Sequence, residues 1–193
     1  MLLVEHRVNT RERLARVPGT RGIEIDIRDY AGELRCVHDP LENGEALDDL
    51  LAHYHHALAI FNVKCDGLER RISEMARKRG VQNYFFLDVA NPTLVSLVRR
   101  GERRVAVRYS EYEPVEFALA FRGQVEWVWV DCFTCLPLTP EVYQQLKQHF
   151  KICIVSPELQ AHPRQKIREF REQLRDLPVD AVCTDFCEDW RIS

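Results

Sequence analysis

No stretch of this sequence is apolar for the roughly 20 residues that a transmembrane helix requires. Positive charge is not in excess either. Lys and Arg number 27 against 30 Asp and Glu, a net charge of -3, so neither nucleic acid nor an anionic membrane surface would meet a strong positive field. The opening Met1-Leu-Leu-Val-Glu5-His6 carries charge too early, and too little apolar length, for a secretion signal; a cytoplasmic location is the expectation. Glycine is sparse, 8 of 193 residues, and no Gly-rich turn follows the first strand pattern, which argues against a dinucleotide-binding doubly wound sheet. Cysteine is present but lacks a pattern. The total of seven is odd, Cys132-Phe-Thr-Cys135 is a lone C-x-x-C, and Cys183 and Cys187 are four apart, whereas a structural zinc site needs two such pairs or a pair with matched histidines. Cys36, Cys65, Cys153 and Cys183 lie in or beside apolar runs and read as small packed hydrophobes. Linkers, low-complexity segments and internal repeats are also missing, so residues 1–193 are expected to form a single domain.

What is present is a regular alternation. Short runs rich in Val, Ile and aromatics, of the kind that form buried parallel strands, cover Leu2–His6, Gly22–Arg28, Leu58–Lys64, Tyr84–Val89, Arg104–Tyr109, Trp127–Cys132, Lys151–Ser156 and Asp180–Thr184. Helical stretches separate them. Thr139-Pro140 and Asn91-Pro92 each place a capping side chain before a proline, Lys64–Gly80 has helical periodicity and ends in glycine, and His162–Leu177 is amphipathic up to Pro178. Eight β-then-α units predict an α/β fold, a compact (β/α)8 TIM barrel trimmed to minimal loops; an open sheet would more often show five or six strands. One insertion stands out, Asp29–Pro40, which reads as a turn at Ala31-Gly32 and a short extended arm over Glu33–His38.

In such a barrel the active site lies at the C-terminal ends of the strands. Polar residues collect at those ends: His6-Arg7, Glu24-Ile-Asp26-Ile-Arg28, Asn62-Val-Lys64, Asp88, Arg108, Asp131, Ser156 with Glu158, and Thr184-Asp185. Any one of them could merely cap a strand, but a buried polar group without partners costs about 1–3 kcal/mol, so the set calls for a reason. Glu24 and Asp26 are two apart on a strand and so share a face, where both carboxylates can reach one divalent cation. Two histidines, His6 and His38, can trade protons near neutral pH, and an arginine at a strand end such as Arg108 can grip phosphate bidentately. Together these are the parts for breaking a phosphodiester.

His6-Arg7, then Gly22-Ile-Glu24-Ile-Asp26-Ile, then His38-Asp39-Pro40 resemble the glycerophosphodiester phosphodiesterase family, within the phosphatidylinositol-specific phospholipase C-like barrels. Asn62-Val-Lys64 is similar to that family's Glu-x-Lys strand, and Asp180–Asp185 to its final strand ending in Thr-Asp. The resemblance implies metal-assisted phosphodiester cleavage, with His6 and His38 as the acid/base pair and Glu24, Asp26 and Asn62 as ligands of one Mg²⁺ or Ca²⁺. Arg7 and Lys64 would hold the substrate phosphate, joined by Arg108. The sequence departs from the family at Asn62, an amide where a third carboxylate is usual; Asp88 or Asp131 could compensate. Short loops favour a small-molecule glycerophospho- or sugar-phosphodiester, with no nucleic acid or membrane partner. The alternative is a non-catalytic barrel that binds a phosphorylated ligand after partial loss of the metal site. Retention of both histidines favours the enzyme.

Other signals have plainer readings. His53, His55 and His56 fall on an expected outer helix and read as surface or helix-end groups rather than a metal cluster. Trp127 and Trp129 read as core, although Trp129 could wall a pocket. Ser110–Pro114 is either an ordinary loop or a substrate contact, and Arg70-Arg71, Arg99-Arg100 and Arg103-Arg104 read as solvated helix faces.

Overall fold

The computed structural model describes residues 1–191. Its contacts divide the chain into two compact units, one of Glu5–Arg100 and one of Met1–Val4 with everything from Gly101 onward. Strand β1 (Leu2–Glu5) opens the chain and falls, but for Glu5, in the second unit; the first contains α1 (Arg11–Arg16), β2 (Gly22–Tyr30), β3 (Glu33–Cys36), β4 (Glu45–Ala46) and α2 (Leu47–Leu51). It closes with β5 (Leu58–Val63), α3 (Glu69–Lys78), β6 (Tyr84–Leu87) and α4 (Asn91–Arg99).

In this unit β2, β5 and β6 run parallel, and β3 and β4 add an antiparallel arm to β2. The pleat sorts the side chains. Ile23, Ile25 and Ile27 share one face of β2 with Ala59, Phe61 and Val63 of β5, where Phe61, Tyr84 and Phe86 form an aromatic cluster with ring centroids 5.1–6.2 Å apart. The opposite face presents Glu24 and Asp26, and the register sets Asp26 directly beside Asn62. The expected turn at Ala31-Gly32 is a two-residue hairpin with φ of 53° and 83°, the left-handed pair that matches strand twist. Arg71 pins its tip through Asp29 (2.9 Å) and the Gly32 carbonyl (2.6 Å). That arginine is therefore a fastener rather than part of a solvated face.

The second unit contains β7 (Ala106–Tyr109), α5 (Val115–Ala120), β8 (Trp127–Val130), α6 (Pro140–Lys147), β9 (Lys151–Val155), α7 (Lys166–Gln173) and β10 (Ala181–Thr184). Its hydrogen-bonded order is β1-β10-β9-β8-β7, and the pairs from β7 through β10 are parallel. Single 3₁₀ turns at Pro157–Gln160 and Cys187–Trp190 follow β9 and β10. Trp127 and Trp129 are both buried core residues.

All eight expected strands form, mostly a residue or two shorter, and the arm contributes two more short ones among the described residues. Thr139 caps α6 as read, accepting from the Val142 N–H. At α4 the boundary moves: Ala90 takes the cap position and Asn91 is already helical, with no side-chain cap. Helix α3 begins at Glu69 rather than near Lys64, because Cys65–Gly67 turn first, and α7 begins at Lys166, after a turn at Arg164 and Gln165. The histidine cluster lies beyond the end of α2 rather than on a helix, with His56 buried and bonded to the Val17 carbonyl at 3.0 Å. No helix among the described residues is long and apolar enough to cross a membrane.

Gly44 lies so close to the last residue of β3 that a Cβ there would overlap the Cys36 carbonyl and press on Val37. Gly44→Ala should cost about 1–3 kcal/mol by overpacking. Gly32→Ala, in open space at φ 83°, should cost only about 1–2 kcal/mol through its left-handed backbone. Thermal denaturation of the two variants checks the ranking; a smaller loss for Gly44→Ala would mean that the arm relaxes freely.

Candidate active site

Of the residues expected at the site within the first unit, Arg7, Asn62 and Lys64 gather around Glu24 and Asp26 on one short stretch of β2. Glu24 and Asp26 are each 1% exposed and Asn62 is 8% exposed, so all three are withdrawn from water. Two neighbours hold the carboxylates. The Arg7 N–H donates to Glu24 Oε2 at 2.7 Å, and the Val8 N–H reaches the Glu24 carbonyl at 2.7 Å. Asn9 clasps Asp26 in both directions, its amide donating to Oδ2 at 2.9 Å while its Oδ1 accepts the Asp26 N–H at 2.9 Å. Asn9 is a site residue that spacing alone does not reveal.

Glu24 Oε1 and Asn62 Oδ1 are buried and have no hydrogen-bond partner among the described residues. Unpaired buried oxygens of this kind are costly, and a bound cation would satisfy both. Burial pushes the Glu24 carboxyl above its ordinary value, and the Asp26 charge adds to that; His6, the Arg7 N–H and the Asn62 side chain oppose it less strongly. The donors are hard oxygens, which suits Mg²⁺ or Ca²⁺. Among the described residues no three His, Cys, Asp or Glu side chains form a metal-ligating group, and the third donor here is an amide.

Lys64 lies between two carboxylates, with Nζ 3.1 Å from Asp88 Oδ2 and 3.5 Å from Asp26 Oδ1. Its ammonium thus offsets charge beside the oxygens where a cation would be held. Asp88, which its strand-end position suggested as a spare metal ligand, is thus the nearer of the lysine's two carboxylate partners. Arg7 places Nε 3.9 Å from Asp26 Oδ2 and is partly exposed, able to meet an anion from solvent. Arg7 and Asp88 are both non-glycine residues in the left-handed region, with φ of 53° and 61°. Such conformations cost about 1–3 kcal/mol and cluster at functional sites.

His38 arrives on the arm. The Val37 N–H bonds the Asp26 carbonyl at 3.0 Å, which brings the next residue alongside the carboxylate stretch. His38 Nδ1 lies 2.8 Å from Asp39 Oδ1. With Nδ1 bonded to a carboxylate, Nε2 is the nitrogen left for proton transfer. The hydrogen bond from His38 holds the Asp39 carboxyl below its ordinary value, and the charges of His38, Arg7 and Arg28 act in the same direction. His6 follows β1 and acts electrostatically on Glu24.

Arg108 belongs to the second unit, where its guanidinium pairs with Asp131. Asp131 Oδ1 also accepts from Trp129 Nε1 (3.3 Å) and Gln160 (3.0 Å), so that carboxylate is fully engaged. Glu158 gathers the ends of β9 and β10, accepting from Ser156, from Thr184 Oγ1 (2.6 Å) and from the Asp185 N–H (3.0 Å). Glu111, from the loop after β7, accepts N–H bonds from Phe133, Thr134 and Cys135 at 2.6–3.2 Å, which draw its carboxyl down to about 2 against the cost of burial. That loop contact is structural.

No protein-family model matches the chain, and no curated protein matches it. Solved structures do. A glycerophosphodiester phosphodiesterase from Agrobacterium tumefaciens str. C58 superimposes with a TM-score of 0.69 at 15% identity, over 98% of this chain and 97% of that one. A second A. tumefaciens protein, described as a glycerophosphoryl diester phosphodiesterase, gives 0.69 at 14% identity over 95% and 93%. The tryptophan synthase α subunit of Campylobacter jejuni gives 0.62 at 13% identity over 95% and 86%. The fold is therefore the α/β barrel expected from the strand–helix alternation. Two of these neighbours carry the family name that the His-Arg, Glu-x-Asp and His-Asp-Pro motifs resemble.

The raised Glu24 carboxyl has a consequence for stability. A carboxyl whose folded value exceeds its unfolded one favours the folded state at low pH, and this contribution is lost as pH rises from about 4.5 through the folded value. Without divalent cation, Glu24→Gln should raise the melting temperature near pH 7, and the gain should vanish toward pH 4. Melting curves in EDTA across that range test it; a less stable variant at neutral pH would show that the ionised carboxylate is well compensated.

Proposed function

We propose that this chain is a metal-assisted phosphodiesterase that cleaves a small glycerophospho- or sugar-phosphodiester, a divergent relative of the glycerophosphodiester phosphodiesterases. The observation that carries this reading is the pair of buried, unpartnered oxygens, Glu24 Oε1 and Asn62 Oδ1, beside Asp26. These three residues would hold one Mg²⁺ or Ca²⁺, which would supply charge neutralisation at the phosphoryl oxygens. Arg7 and Lys64 meet the phosphate's remaining charge. Arg108, expected from the sequence to join them, pairs with Asp131 in the second unit.

His6 and His38 divide the proton transfers. One imidazole takes the proton of the attacking hydroxyl as its oxygen bonds phosphorus; the other gives a proton to the leaving oxygen as its bond to phosphorus breaks. The 2.8 Å contact with Asp39 engages His38 Nδ1 and leaves Nε2 as the nitrogen for proton transfer. We read residues 1–193 as one catalytic domain, in keeping with the near-complete mutual coverage of the A. tumefaciens structures. A cytoplasmic setting suits the seven free cysteines, five of them buried. Two features favour a second reading, a barrel that binds a phosphorylated ligand without cleaving it: the amide at Asn62 and the ammonium of Lys64 beside Asp26.

Turnover of bis(p-nitrophenyl) phosphate with Mg²⁺, Mn²⁺, Ca²⁺ or EDTA separates the two. Cleavage should require the cation, and His6→Ala and His38→Ala should each lose about 10²–10⁴-fold. Pure protein with no turnover under any cation, and no cation binding by calorimetry, would leave the binder. Asn62→Asp adds a ligand charge and should tighten cation binding; unchanged affinity in calorimetry would remove Asn62 from the ligand set.

A further inference from the structure

Arg28 lies two residues beyond Asp26 on β2, half-buried, and its guanidinium is spent on backbone. Nε donates to the His38 carbonyl at 2.8 Å, and Nη1 donates to the Lys64 carbonyl at 3.1 Å. The same Nη1 lies 3.9 Å from Cys65 Sγ. One rigid fork therefore ties the arm that carries His38 to the segment leaving β5, and both segments are already registered on β2 through Val37 N–H to Asp26 O (3.0 Å) and Lys64 N–H to Ile27 O (2.9 Å).

We propose that Arg28 is a positioning residue that sets His38 for proton transfer by fixing the peptide plane between His38 and Asp39. The His38 carbonyl belongs to that plane, and its orientation decides how the two side chains face one another across their 2.8 Å Nδ1–Oδ1 bond. Little else restrains the arm there. Asp39, Pro40 and Leu41 are exposed, Leu41 at 94%, and the last β3 residue buried in the core is Cys36. Lysine could not replace the fork, since a single ammonium on a flexible stem lacks its fixed pair of donors. The inference rests on the phosphodiesterase reading for its catalytic meaning, but the clamp also has a signature that needs no turnover.

Arg28→Met and Arg28→Lys test it, each first shown to fold by circular dichroism; the lysine variant keeps a charge in place should the methionine variant not fold. Against bis(p-nitrophenyl) phosphate with Mg²⁺, both should lose about 10–100-fold in kcat, as misplacement of a proton-transfer group costs, with KM changed less than about 2-fold. In imidazole NMR spectra the His38 signal, assigned by its loss in His38→Ala, should leave its Nδ1-bonded position while the His6 signal stays. Unchanged kcat together with an unmoved His38 signal would overturn the proposal, as would equal displacement of both histidine signals, which marks general loosening. If the wild type shows no turnover, the phosphodiesterase reading falls, and the clamp is then decided by the His38 signal alone.

Discussion

Everything at the candidate site depends on the parallel ladder between β2 and β5, which sets Asp26 beside Asn62 and points Glu24 to the same buried face. A strand buried on both sides is built to be apolar, and three isoleucines on the opposite face of β2 meet that need. Putting two carboxylates on the other face works against folding, because removing charge from water is expensive unless partners are supplied. The chain supplies some. Asn9 satisfies Asp26 through a reciprocal pair of bonds, the Arg7 N–H satisfies one Glu24 oxygen, and Lys64 brings an opposing charge. Two of these supports involve residues with left-handed backbone, Arg7 itself and Asp88 behind Lys64. Strain is accepted where the carboxylates must be held, and two oxygens are still left without partners.

The arm is the second constraint. It is an antiparallel appendage to a parallel set of strands, and it exists because Ala31-Gly32 can adopt the tight left-handed turn that reverses β2. Its far end is held at the tip by Arg71 and at the His38 carbonyl by Arg28, so two arginines fasten an element with few buried side chains of its own. A histidine on a strand of the sheet would be fixed by packing; one on an arm needs fasteners of this kind.

Legibility followed the range of the interactions. The strands were readable because each is a local apolar run, and the shared face of Glu24 and Asp26 was readable because pleat period is a local property. The register that brings Asn62 to Asp26 was not in the pattern; it came through the family resemblance of Asn62-Val-Lys64. Asn9, Asp39 and Arg28 stand in the motifs and strand ends read from the sequence, but their individual roles are not legible there, because an amide, an acid beside a histidine and a strand-end arginine acquire roles only through partners 1, 10, 17 or 36 residues away. Asn91 was misplaced by one position because the helix start is set by backbone conformation at Ala90, which a capping residue type suggests without determining. The ion pair of Lys64 with Asp88 could not be read either, because it depends on a partner at the following strand-end, 24 residues away.

The amide at Asn62 joins these threads. A third carboxylate on this face would add repulsion to a pair in which Glu24 is already pushed toward its neutral form by burial and by Asp26. With nothing bound, such a trio would strain the fold that presents it. Asn62 keeps an oxygen in the same register position while leaving that charge out, and Lys64 then suffices to balance Asp26. On the proposed metal-assisted reading, the consequence would be a site that is easier to fold empty and weaker in its hold on a cation, because affinity for hard ions rises with the charge of the ligands. On the proposed phosphodiesterase reading, chemistry at such a centre would lean more on the protein's own groups: on Arg7 and Lys64 to meet the phosphate's charge, and on a His38 held in register by its arm. The stability of the empty fold and, on that reading, dependence on well-placed protein groups would both follow from the amide at Asn62.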